Sequence, residues 1–164
     1  MNQPQALILQ AKLAQLDRYT SPQWTTLSGP TPPASSRPFI VTPNPFPAYP
    51  APGANPVVVI SYQVPIGMFA VIAYIAIVHV GGGFVDGSGN VVWRVLVNGA
   101  GVKGLEALTS QLASYNNPNV VQIVLMENDL IQVTAEVPVG QPAMPGGTST
   151  AARFHGFALP VVRN

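Results

Sequence analysis

Apolar positions along this chain change their period four times, and each change marks the start of another element. Ala6, Leu9, Leu13 and Leu16 follow 3-4-3 spacing, which predicts an amphipathic helix over residues 4–19 with Asn2 or Gln3 as cap and Pro4 in the first turn. Leu7 and Ile8 widen its apolar face. A helix this short is marginal in water on its own, so the stripe requires a partner. From residue 20 the periodicity stops. Prolines recur at 22, 30, 32, 33, 38, 43, 45, 47, 50, 52 and 56, which predicts an extended arm. At about 3.1 Å per residue in polyproline II, Pro22 to Pro56 could reach on the order of 100 Å, far beyond a body whose radius of gyration is about 13 Å. Trp24, Phe39, Ile40, Phe46 and Tyr49 punctuate the arm like anchors for pockets on another surface.

From Val57 the period becomes two. Val58, Ile60, Tyr62 and Val64 alternate with smaller or polar neighbours, and Pro65-Ile66-Gly67 breaks the run. Met68 to Val80 is apolar on both faces, as expected of a central strand. Gly81-Gly82-Gly83 ends it and Asp86-Gly-Ser-Gly-Asn90 makes a turn. Val91–Asn98 puts Trp93, Val95 and Val97 on one face; Leu105, Leu108, Leu112 and Tyr115 then predict a short helix over 103–115, stopped by Asn116-Asn117-Pro118. Strands follow at 120–126, 130–137 and 151–159, with a Gly/Pro loop at 138–150. The expected architecture is mostly β: an antiparallel jelly-roll-like sandwich over 57–164 with one inserted helix, preceded over 1–56 by a helix and a Pro-rich arm.

Composition sharpens this picture. Only 8% of residues are charged while 48% are hydrophobic, and none between Arg37 and Asp86 is formally charged. So little charge implies that another surface covers part of the protein. A net charge of +1 with scattered Lys and Arg gives no footprint for nucleic acid. Cysteine is absent, which excludes disulfides and thiolate chemistry. The N-terminus lacks the pattern of a secretory signal. Val57–Val80 is long enough to cross a bilayer, but its β-branched content, Pro65, Gly67 and His79 favour two strands.

Candidate chemistry is sparse. His79 and His155 have no carboxylate or second histidine at ligand spacing, so no metal site or cofactor is expected. The carboxylates Asp17, Asp86, Glu106, Glu127, Asp129 and Glu136 fall mostly at turns or outward strand positions. Asp86–Asn90 has too few carboxylates for a calcium loop. Neither a phosphate-binding loop nor a Gly-x-Ser-x-Gly elbow occurs. The chain reads as a non-enzyme.

Four segments in order, Val64-Pro-Ile-Gly-Met68, Asp86-Gly-Ser-Gly-Asn-Val-Val-Trp-Arg-Val-Leu-Val-Asn-Gly99, Ile123-Val-Leu-Met-Glu-Asn-Asp-Leu-Ile-Gln-Val-Thr134 and Ala152-Arg-Phe-His-Gly-Phe-Ala-Leu-Pro160, resemble the small jelly-roll structural proteins of tailed-bacteriophage virions. These are head cement or decoration subunits and neck or fibre-base subunits. The resemblance implies a homotrimer in the virion, assembled in the host cytoplasm. Its N-terminal segment would grip major capsid, portal, neck or fibre proteins, with Leu9, Leu13, Leu16, Trp24, Phe39, Ile40, Phe46 and Tyr49 as partner-binding residues. The alternatives are a carbohydrate- or receptor-binding module of a fibre, using Trp93, Tyr115 and the 138–150 loop, a membrane-associated protein, and a cupin-like metal enzyme.

Overall fold

The computed structural model describes residues 25–26, 29–30, 36–112 and 119–161. Among the described residues ten strands run in chain order: β1 (Thr25–Thr26), β2 (Gly29–Pro30), β3 (Arg37–Val41), β4 (Val57–Gln63), β5 (Met68–Val80), β6 (Val92–Val97), β7 (Ala100–Gly101), β8 (Asn119–Leu125), β9 (Leu130–Glu136) and β10 (Ser149–Pro160). β1 and β2 pair only with each other; the rest form two antiparallel four-stranded sheets, ordered β3-β10-β5-β8 and β4-β9-β6-β7. The pairing is nested. β6 pairs with β7, β5 with β8, β4 with β9 and β3 with β10, as though one long two-stranded ribbon had been folded across itself.

The sheets face each other across one apolar core. Ile72, Ile75 and Ile77 of β5 and Phe154 of β10 meet Trp93 and Val95 of β6 and Ile131 and Val133 of β9, all fully buried. Alternation in the sequence anticipates these positions well. Two bulges shift the phase. The register of β4 slips between Val58 and Ile60, so Val58 is exposed while Val59 is buried. Ala73 is the extra residue of β5, where pairing with β10 steps from Tyr74 to Ile72. Ile72 and Ile75 therefore both face the core.

The helix expected over 103–115 is corrected as far as residue 112, and 113–118 lie outside the described residues. The segment is irregular, and its leucines pack into the core instead of lining a helix. Leu108 exchanges two backbone hydrogen bonds with Trp93 and Leu112 exchanges two with Ile77, so this segment crosses from one sheet to the other. Tertiary backbone partners override a leucine spacing that propensity reads as helical.

Part of the stretch expected as an arm over 1–56 pairs with the body. β3 lies inside the expected arm, yet it is hydrogen-bonded along β10 from Arg37–Ala158 to Val41–Phe154. Pro47 accepts from Thr150 N–H, and Gly53 N–H donates to Val137. Residues 36–56 thus belong to the sandwich. An edge strand tolerates Pro38 because half of its ladder has no partner to satisfy. The helix expected over 4–19 lies outside the described residues. The apolar run 57–80 forms β4 and β5, on different sheets, and among the described residues no helix is long and apolar enough to cross a membrane.

Candidate partner-binding surface

Of the eight candidate anchors, Leu9, Leu13, Leu16 and Trp24 lie outside the described residues. The remaining four divide by strand parity and loop position. Phe39 points inward from β3 and stacks on Tyr62 of β4, with ring centroids 4.3 Å apart and planes 15° from parallel. Its ring lies where a side chain on Gly156 would be, 2.7 Å from the position a Cβ would take. Phe39 therefore closes the open side of the sandwich. Ile40, next along the strand, points outward and is 64% exposed.

Tyr49 is held by a directed chain of hydrogen bonds. Trp93 Nε1 donates to Thr150 Oγ1 over 2.8 Å, and the Thr150 hydroxyl, which donates to the Val78 carbonyl over 3.4 Å, lies beside the Tyr49 phenol. Tyr49 Oη lies 3.0 Å from His79 Nδ1, and His79 Nε2 lies 3.1 Å from the Gly82 carbonyl. A carbonyl can only accept, so Nε2 carries the imidazole proton and Nδ1 accepts from Tyr49. Phe84 stacks on His79 at 5.3 Å and meets Trp93 edge-on. Burial pushes the Tyr49 phenol up to about 12, against the Thr150 hydrogen bond, which pulls the other way. Every polar atom in this chain has a partner. Its effect is to pin the β3–β4 connection onto the body, so Phe39 and Tyr49 are internal anchors.

Phe46 stays outside, 41% exposed, and it has company. Ala48 bridges to Ser149, which pairs with Val80 at the end of β5. Val139 touches the space above Gly53, and Val85 sits in the β5–β6 connection. Val80, Val85 and Val139 are all exposed, Val139 to 86%. One end of the sandwich thus presents four large apolar side chains from the connections 42–56, 81–91 and 137–148 and the tip of β5. Asp86 is the only charged residue in those three connections. Periodicity gave no sign of Val80, Val85 and Val139; the signal available was the near-absence of charge in three separate loops.

Four carboxylates are engaged within the fold. Asp86 accepts from Gln111 N–H, Asp129 from Met126 N–H and Asn98 Nδ2, and Glu127 from Gly67 N–H. Glu136 pairs with Arg94. His155, on the outer face of β10, meets Tyr74 edge-to-face. Burial, followed by the nearby Arg153 charge, lowers its pKa. Among the described residues no group of three or more His, Asp or Glu is placed to hold a metal ion. No protein-family model matches the sequence, and no curated protein matches it.

Proposed function

We propose that this protein is a non-enzymatic structural subunit of a tailed-phage virion, a jelly-roll body that stabilises or decorates the head or neck by docking on its neighbours. Nested pairing of β3 through β10 supports the jelly-roll reading, because two Greek keys folded from one ribbon have that strand order. The observation that carries the docking role is the nearly uncharged end bearing Phe46, Val80, Val85 and Val139. Exposed apolar groups concentrated in that way mark a surface that functions covered. With residues 36–56 part of the body, the strap over neighbouring subunits is reduced to the chain ahead of Ser36, assisted by the outward Ile40 and Phe46. Self-association as a homotrimer and contact with capsid, portal, neck or fibre proteins both fit such a surface.

The test is the full-length double variant Val85→Asp/Val139→Asp in particle assembly. Because both side chains are largely exposed, the urea midpoint stays put while incorporation into particles falls at least tenfold. Full incorporation of the variant overturns the proposal.

A further inference from the structure

The hairpin between β6 and β7 carries the one Asn-Gly pair of the sequence, Asn98-Gly99. Val97 pairs with Ala100, so these residues are the whole loop, with φ of +51° and +80°. A two-residue turn with both φ positive selects Asn-Gly. The same pair has a second chemistry. Glycine has no side chain to shield its backbone nitrogen from the carboxamide before it. When that nitrogen attacks Asn98 Cγ, the N–Cγ bond forms, the Cγ–Nδ2 bond breaks, and the Gly99 amide proton departs on the leaving ammonia. Water then opens the five-membered imide at Cγ to give aspartate, or at the main-chain carbonyl to give isoaspartate. Asn98 and Gly99 are both exposed, so water reaches the turn.

The neighbouring β8–β9 turn takes hold of this carboxamide. Asn98 Nδ2 donates to Asp129 Oδ1 over 2.8 Å, and Asn98 Oδ1 accepts from Leu130 N–H over 2.9 Å. Asn98 N–H donates to the Leu130 carbonyl. Asp129 is itself fixed: its Oδ2 accepts from Met126 N–H, its N–H donates to the Met126 carbonyl, and its carbonyl accepts from Val64 N–H. Ring closure needs Cγ against the Gly99 nitrogen, whereas both side-chain bonds draw the amide toward Asp129 and Leu130.

We propose that Asn98 is a latent deamidation site and that Asp129 is the positioning residue that keeps it closed. The step is one-way. As an aspartate, residue 98 has no side-chain N–H to give, and a second carboxylate stands where Asp129 held a donor. Isoaspartate also adds a backbone atom to a turn built for two residues. Conversion therefore unfastens the β6–β7 hairpin from the β8–β9 turn and marks chains that have opened there. The inference stands whether or not the protein belongs to a virion.

The test holds the full-length protein at mildly alkaline pH and follows Asn98 by peptide mapping with mass spectrometry. Wild type should convert at least tenfold more slowly than a free peptide of residues 94–102. Asp129→Ala, which removes a charge-assisted hydrogen bond, should convert about tenfold faster than wild type. Asp129→Asn keeps the shape and drops the charge, and should be intermediate. Phe39→Ala loosens the sandwich elsewhere and leaves Asp129 in place, so it should keep the wild-type rate. Wild type as fast as the peptide, or neither Asp129 variant faster than wild type, overturns the proposal. Equal acceleration by Phe39→Ala overturns it too, because the protection would then be global stability. Asn98→Asp, the product made directly, should lower the urea midpoint; an unchanged midpoint overturns the unfastening.

Discussion

Replacing Phe39 by alanine tests whether the proline-rich stretch belongs to the body. The side chain is half-buried, stacked on Tyr62 and set against Gly156. Phe→Ala in a full core costs about 3–5 kcal/mol. Half burial reduces that to about 2 kcal/mol, including loss of the aromatic pair. With an m-value of about 2 kcal/mol/M, the urea midpoint should fall by roughly 1 M, followed through fluorescence of the fully buried Trp93. Ile40→Ala, one residue along and outward, provides the contrast and should stay within about 0.5 kcal/mol of the parent. Equal effects of the two substitutions, or none from Phe39→Ala, would show that β3 is not seated on β10 as described.

Other predictions follow from the same contacts. Tyr49→Phe removes the group between Thr150 and His79 and should cost about 1 kcal/mol in a denaturant titration. Because the folded-state pKa of Tyr49 is raised from 10.0 to about 12, the unfolded chain loses this proton first as pH rises. Its contribution is therefore complete below pH 10 and is lost between about pH 10 and 12; Tyr49→Phe should flatten the fall in stability measured over that window. Gly156→Ala places a Cβ 2.4 Å from the Val71 carbonyl oxygen and should destabilise by about 1–3 kcal/mol, seen as a lower thermal midpoint. Trp93→Phe and Thr150→Val break the same hydrogen bond, so a double-mutant cycle should find them non-additive.

How far the fold could be read ahead depended on whether local pattern and tertiary contact agreed. Ile131, Val133, Ala135 and Val137 alternate cleanly and are all buried, because β9 is an interior strand with one face on the core. Val58 broke its expected phase because the bulge at Val59 is set by pairing with β9, which no local window contains. Arg37–Val41 was hidden among prolines, whose missing N–H groups argue against strands except at an edge, and edge position is a property of the assembled sheet. Leu105, Leu108 and Leu112 mimic a helical period while docking an irregular crossing between sheets. Half of the described anchor candidates, Phe39 and Tyr49, proved internal for the same reason: an aromatic spaced to fill a pocket does not say whose pocket it fills. The exposed end at Val80, Val85 and Val139 was legible only as loops nearly without charge.

Cross-linking mass spectrometry on intact particles tests the docking role most directly. The account predicts links from the chain ahead of Ser36, and from the neighbourhoods of Phe46 and Val139, to a second polypeptide. Absence of the protein from purified particles, or links confined to its own chain, would contradict it.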